Sequence, residues 1–322
     1  MSKDFEIVTD AGETIVVSRN ALTHVEKSVT QKVRPGKWRQ ILSVDSTPPA
    51  WAQSVEYDKV SRTAEWVPTQ DFTSDFAVAS TQVSKEGFDL FEMMSGYSFR
   101  NRELVRASKT GLPLDSLRAQ AVMDKAETVL DHIAANGTID GSKQLGNVEG
   151  LYNLTGITPE AISATSTAWE DLAFGTVDEQ DAFAETVIQD ILALERKSEI
   201  DTKETSLIDT LVLPLSVKQL FQRTKGRGDM TVAQAVINRA ESIRKIVYWQ
   251  KGEDKGAAGV RRIACINGRD SDASRFVLPQ SPVSGRRVQT MAGVNVPVNM
   301  VIGGFQTKIP ESVIYADMAD AS

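Results

Sequence analysis

The chain is poor in the residues on which cross-linked, metal-binding and nucleophilic sites depend. Among 322 residues there is one cysteine, Cys265, which excludes a disulfide within one chain, and there are two histidines, His24 and His132, too few for a zinc constellation. Positive charge is short as well. Lys and Arg number 36 against 43 Asp and Glu, a net charge of −7, which excludes strong sequence-independent binding of nucleic acid and leaves only local basic spots. No stretch approaches the ~18 consecutive apolar residues of a membrane span. Residues 1–10 alternate charged and apolar side chains and lack the apolar core of a signal peptide, so the expectation is a protein made and kept in the cytoplasm of its producer.

Catalytic punctuation is missing too. There is no G-x-x-x-x-G-K-[ST] loop, no strand–G-x-G-x-x-G–helix unit, no G-x-S-x-G elbow and no H-E-x-x-H pair. Gly226-Arg227-Gly228 has no strand before it to make a phosphate cradle, and Arg227-Gly228-Asp229 reads as a tight polar turn in a chain without a secretion signal. Cys265 sits in the apolar run Ile263-Ala264-Cys265-Ile266 and reads as a small core hydrophobe. His132 reads as a solvated or capping histidine near a helix C-terminus, with a base role beside Asp131 as the alternative. No catalytic residue, metal or cofactor is expected.

What is present is an ordinary folding composition: 41% hydrophobic and 25% charged, in a chain long enough for a sizeable core. Residues 5–18 read as a hairpin about Asp10-Ala11-Gly12, and Val25, Val29 and Val33 as a short helical face ended by Pro35-Gly36, after which 37–45 looks extended. Over 48–99 the period shifts to two, with Val55, Tyr57 and Lys59 on one limb and Phe76, Val78 and Ser80 on the return, describing one long two-stranded excursion. Such a hairpin is marginal in water unless it lies on a partner. A short helix is expected at 101–109. A long one follows at 115–136, with Leu117, Ala121, Val122, Ala126, Val129, Leu130 and Ile133 as its stripe, Pro113 and Asp115 at its start and Asn136-Gly137 at its end. Beyond Gly150 the pattern is mixed. Helices are expected at 179–197, at a start capped by Ser216, and at 231–239 with Ala233, Val236 and Ile237 inward; strands at 206–213, 245–249, 260–267, 275–278, 294–302 and 313–317; and a solvated loop at 251–259.

Two groups of residues suggest contact with another molecule. Trp51, Tyr57, Trp66, Phe72, Phe76, Phe88, Phe91, Tyr97 and Phe99 crowd the excursion and its root, far above the chain's 7% of aromatics, as a protein–protein contact would. Arg223, Lys225 and Arg227, and the pair Arg261 and Arg262, read as solvated charge, with nucleic acid or another subunit as the alternative.

The run Ala107-Ser108-Lys109-Thr110-Gly111-Leu112-Pro113-Leu114-Asp115-Ser116-Leu117-Arg118-Ala119-Gln120-Ala121, the long helix after it, and then Gly150-Leu151-Tyr152-Asn153-Leu154 resemble major capsid proteins of tailed bacteriophages. The strand–proline–helix unit Leu211-Val212-Leu213-Pro214-Leu215-Ser216 is similar to the same branch of the Hong Kong 97-type capsid family. The resemblance implies an α+β fold of that type. It has an N-terminal arm (1–47), an extended β-hairpin loop with its root (48–99), a peripheral domain (100–156 plus 298–322) with a spine helix at 115–136, and a mixed α/β axial domain (157–297).

It also implies a non-enzymatic subunit that forms pentamers and hexamers of an icosahedral head, is found in the virion, and touches packaged double-stranded DNA weakly and non-specifically. On this reading the subunit-interface residues are Trp51, Tyr57, Lys59, Arg62, Trp66, Phe72, Phe76, Lys85, Arg223 and Arg227. Self-scaffolding relatives carry a further segment before the arm, so a chain opening at Met1 leads to the expectation of a separate scaffolding protein; a portal and a decoration protein are the other partners the resemblance allows. Some relatives cross-link a loop lysine to a neighbour's asparagine. Lys59 and Lys85 lie in the right region, but nothing identifies a matching asparagine, so cross-linking is not expected. Two rivals stay open: an encapsulin-type compartment shell, and a cytoplasmic α/β enzyme using Asp131 with His132.

Overall fold

The structure is a computed structural model and describes residues 5–8, 14–17, 36–63, 80–103, 105, 114–225, 230–291 and 293–319. It divides into two units, Met1–Arg34 and Pro35–Ser322. In the first, β1 (Phe5–Val8) and β2 (Thr14–Val17) form the expected antiparallel hairpin, with Phe5 opposite Val17. The helical face read at Val25, Val29 and Val33 lies outside the described residues.

The second unit opens with α1 (Trp38–Ile41) and β3 (Ser43–Asp45), followed by β4 (Ser54–Thr63), β5 (Ser80–Asp89), β6 (Phe91–Arg100) and the long helix α2 (Leu114–Asn136). Next come α3 (Ser163–Ser166), α4 (Val177–Thr202), β7 (Thr210–Leu213), α5 (Lys218–Phe221), α6 (Val232–Arg239) and β8 (Lys245–Tyr248). The chain finishes with β9 (Arg261–Ile266), β10 (Arg275–Val277), β11 (Gln280–Ser284), β12 (Val288–Thr290), β13 (Gly293–Ile302), β14 (Gly304–Gln306) and β15 (Ile314–Met318).

The centre of this unit is a four-stranded sheet in the order β15-β9-β7-β8, with β7 parallel to β8 and the other pairs antiparallel. Strand side chains alternate, and here both faces are covered. Leu211, Leu213, Ile263, Cys265, Ile314 and Ala316 pack against Phe183, Val187, Ile191 and Leu194 of α4 and Val232, Ala235 and Val236 of α6. Val212, Val247, Ala264, Ile266 and Tyr315 face the second core, built on Trp38, Leu130, Ile133, Tyr152, Trp249 and Phe276. Both long helices were legible, although α4 is longer than expected because Thr176 and Glu179 close a capping box ahead of it.

Helix α2 ends as its sequence demands. Gly137 takes φ +68° and its N–H donates to Ile133 O at 2.8 Å. The Gly150-to-Leu154 motif then acts as a clamp. Leu151 and Tyr152 donate their N–H groups to Ala134 O and Ala135 O at 2.8 and 2.9 Å, and Asn153 Nδ2 donates to Asn136 O at 3.0 Å. Gly150 lies so close that a Cβ there would fall 2.2 Å from Asn136 N.

Several expectations need correction. Residues 38–41 are a helical turn, not extended, because Asp131 Oδ1 accepts the N–H groups of Lys37 and Trp38 at 2.9 and 3.4 Å and holds the turn. Of the expected α2 stripe only Val129, Leu130 and Ile133 are buried; Leu117, Val122 and Ala126 are half-buried and Ala121 is exposed, since only the C-terminal half enters the core. Of the expected helix at 101–109, residues 101–103 are helical, and 104 and 106–109 lie outside the described residues. Strand β7 begins at Thr210 and not at 206. Ser216 does not cap α5: its N–H and hydroxyl donate to the Glu253 carboxylate at 2.9 and 3.2 Å, and Val217 is the N-cap. In α6 the buried residues are Val232, Ala235 and Val236, with Thr231 as the cap. The 251–259 segment is not a free loop: Gly252 is buried and Ala257 N–H donates to Asp317 Oδ2 at 2.9 Å.

The largest correction concerns 48–99. It is not one two-stranded excursion, because β6 leaves the hairpin and pairs along its whole length with β13, Phe91 opposite Ile302 and Arg100 opposite Gly293. Strands β11 and β12 take the other edge of β13. The boundary expected between 297 and 298 thus falls within β13, and β15, beyond it, completes the sheet built from 210–266.

Candidate intersubunit surface

Strands β4 and β5 form a sheet of their own, in register from Ser54 opposite Asp89 to Thr63 opposite Ser80, and hydrogen-bond to no other described strand. Their root is anchored. Val55 and Phe88, a directly opposed pair, pack with Ala52 on the small buried cluster of Leu90, Val277 and Val301. Beyond the root, alternation divides the ladder into two solvent-facing surfaces. One carries Tyr57, Lys59 and Glu86, with Tyr57 Oη donating to Glu86 Oε2 at 3.2 Å and Lys59 Nζ at 3.3 Å from Glu86 Oε1. Burial and then that bond to Glu86 raise the Tyr57 phenol above its usual pKa, and Lys308 Nζ lies 5.7 Å from its ring centre. The other surface carries Lys85, 3.8 Å from Glu56, and the opposed pair Val60 and Val83.

These valines are 48% and 61% exposed although they stand directly opposite each other. The sequence reading missed both; their signal was a β-branched residue at matching positions on each limb with polar neighbours. Trp51, just before β4, is 85% exposed. The other aromatics near the root do not all face outward as expected: Phe99 is buried beneath the Arg118 guanidinium, and Phe88, Phe91 and Tyr97 are half-buried, because aromatics at the root fill the cores on which the hairpin stands. Arg62 lies in β4, where its backbone opposes Thr81. Trp66, Phe72, Phe76 and Arg227 lie outside the described residues.

Arg223 does not join this surface. It sits over the rings of Phe174 and Phe183 at 4.3 and 5.7 Å and belongs to the packing around α4. Nor are Arg261 and Arg262 solvated. Arg261 holds Glu170 and donates to Ala319 O at 2.8 Å, while Arg262 grips both oxygens of Asp317 at 2.7 and 3.0 Å and donates to Tyr152 O at 2.9 Å.

The residues weighed for catalysis have structural duties. Asp131 accepts from the Lys37 and Trp38 backbone and from Trp249 Nε1 at 3.2 Å, tying α1, α2 and the segment after β8 together. His132 faces Lys251 Nζ at 2.8 Å, and burial, with that cation beside it, lowers its pKa. Cys265 is fully buried, and desolvation holds its thiol well above the reactive range. Among the described residues no helix is long and apolar enough to cross a membrane.

The family model described as major capsid protein matches residues 62–318. The chain is similar to the capsid of Myoviridae Phage XM1, with a TM-score of 0.77 at 17% identity over 95% of this chain and 99% of that one. It is similar to the structure titled Mycobacterium phage Ogopogo (TM-score 0.60, 10% identity, 95% of this chain and 100% of that one). A third likeness is to the capsid of a native GTA particle (TM-score 0.58, 14% identity, 92% of this chain and 95% of that one). No curated protein matches the sequence. At these identities the likeness is one of fold, and the fold is the Hong Kong 97-type capsid fold.

Proposed function

The chain belongs to the major capsid protein family, and on that premise we propose that it builds the icosahedral head of a tailed bacteriophage, assembling as pentamers and hexamers around double-stranded DNA. The observation that carries the assembly step is the β4–β5 ladder. The two strands pair over ten residues each, and beyond the root the side chains of β5, with Val60 and Val83, stand largely exposed to water. A two-stranded ribbon with so little buried surface is marginal alone, and a neighbouring subunit is the natural cover for it. Folding of the ladder and assembly of the shell are then linked by mass action.

In this reading residues 1–47 are the arm, 48–99 the extended loop and its root, 100–156 the peripheral domain with its spine helix, and 157–297 the axial domain, whose sheet β15 completes. Trp51, Tyr57, Lys59 and Lys85 are the contact residues, joined by Val60 and Val83. A mildly acidic wall, net −7, holds packaged DNA without binding it tightly.

Electron microscopy of the purified full chain under assembly conditions tests the proposal. Closed shells with fivefold and sixfold clusters are expected, and particles from infected cells should protect genome-length DNA from nuclease. Dimers or tetramers alone by sedimentation would sink the shell, and shells filled with a protein cargo in place of DNA would favour the encapsulin-type reading.

A further inference from the structure

A cavity of about 380 Å³ opens where α1 and β3 meet the starts of β7 and β8 and the turn after β9. Four cationic residues line it, Arg39, Arg244, Lys245 and Arg269, and among the described residues its one carboxylate is Asp209. For a chain whose net charge is −7, this is a local reversal of sign. Arg39 is already committed: its guanidinium lies 4.4 Å from the Trp38 ring centre and pairs with Glu127 at 2.8 Å.

The other three are held in place and only partly neutralised. Arg244 Nη2 donates to Glu241 O at 2.7 Å, and Lys245 Nζ donates to Gln40 O; both acceptors are neutral carbonyls, which orient the side chains without cancelling their charge. Arg269 Nε lies 3.1 Å from Asp209 Oδ2 while its side chain stays 74% exposed. Asp209 is itself engaged, accepting from Gly268 N–H and Thr210 Oγ1 at 2.8 Å each. Three cations against one carboxylate leave a surplus of two positive charges in a concave site, where low-dielectric walls concentrate the field. An arginine carries five N–H donors in a planar fork and a lysine three on one nitrogen, so donors remain for a ligand.

The geometry points to a phosphate-binding site formed by Arg244, Lys245 and Arg269. Three cationic groups arriving from the turn before β8, from β8 itself and from the turn after β9 suit a tetrahedral anion with three or four oxygens better than a planar carboxylate with two. The site ends where the charge changes. The adjoining shallow depression shares Arg244, Arg269 and Asp209 but adds Glu204, Glu241 and Asp270, which repel an anion. The ligand is a phosphoryl group, either on a small molecule or in a nucleic-acid backbone. The proposal stands on the isolated subunit and does not depend on shell formation.

Calorimetric titration of the unassembled full chain with inorganic pyrophosphate, and separately with a short DNA duplex, tests it. Arg269→Gln and the double variant Arg244→Gln/Arg269→Gln should weaken binding at least about tenfold, while Lys85→Gln, on the β4–β5 ladder and outside the cavity, should leave it within about twofold. For the duplex, each lost contact should lower the slope of log K against log salt by about one. Binding of both ligands, lost in the variants, assigns the site to a nucleic-acid backbone; binding of pyrophosphate alone assigns it to a small phosphate. Should neither ligand bind, or should binding survive in Arg269→Gln, whose exposed position spares the fold, the inference is overturned.

Discussion

All four residues of β7 are buried, whereas nine of the ten residues of β5 are exposed, yet both strands are paired along their length, β7 with a strand on each side and β5 with β4 alone. The difference lies in what their side chains meet. Thr210-Leu211-Val212-Leu213 is apolar nearly throughout and sits between a core built on α4 and α6 and a second one built on α2 and Trp249, so each face is satisfied within the chain. Ser80 to Gly87 of β5 supply Val83 as their one large apolar side chain, and no helix of the described structure covers either face of the ladder. Backbone pairing fixes the shape of a strand, and side-chain burial decides whether that shape is stable alone. The central sheet is self-sufficient. The ladder is, among the described strands, one whose side chains find little cover within the chain.

The contrast can be broken most forcefully in the sheet. Leu213→Asp places an unpaired carboxylate at a position with no exposure and should cost several kcal/mol, a large share of the ~5–15 kcal/mol that holds a domain folded. Soluble subunit with an unchanged melting temperature would show the two-faced core to be wrong.

Charge within that sheet gives the next largest effect. Burial raises the Asp317 carboxyl, but its bonds from Arg262 and Ala257 N–H outweigh this, so its pKa lies below the usual range. A depressed carboxylate contributes stability that is present above the unfolded value and disappears as pH falls through the folded one, here below about 4. Asp317→Asn should therefore cost about 3 kcal/mol at neutral pH by leaving the Arg262 guanidinium poorly matched. It should also flatten the acid limb of stability, read from denaturant midpoints across pH.

A matched pair of truncations sharpens the comparison. Leu211→Ala should lower stability by about 2–5 kcal/mol, while Val83→Ala should change it by less than about 0.5 kcal/mol. The hairpin pair should matter elsewhere. Val60→Asp with Val83→Asp is expected to leave the subunit's denaturant midpoint in place and to suppress shell formation in light scattering, and normal shells from that variant would end the interface role of the ladder. Smallest of all, Glu86→Gln removes the exposed partner of Lys59 and should shift stability by under about 0.5 kcal/mol.

Much of this contrast was legible beforehand, and the failures have a common cause. The spine helix, its Gly137 ending and the limb with Val55, Tyr57 and Lys59 depend on neighbours a few residues away, so period and capping chemistry revealed them. Arg261 and Arg262 look like surface charge in sequence, because nothing nearby announces Glu170 or Asp317. The ring contacts of Arg223 were hidden for the same reason, its aromatic partners being some forty to fifty residues earlier. Trp51, Lys59 and Lys85, expected at a subunit interface, are exposed in the subunit; Val60 and Val83 were passed over because alternation shows which residues share a face without showing whether anything covers it.

The sequence by itself determined most of the elements and the turns that end them, since these rest on local propensity and composition. Tertiary structure alone decided that β6 leaves the hairpin for β13, that β15 closes the central sheet, and that three cationic side chains share one cavity. A strand's local pattern is the same whichever partner completes it. The choice is made by which distant apolar faces and charges can be buried together, and that information is carried by the whole chain.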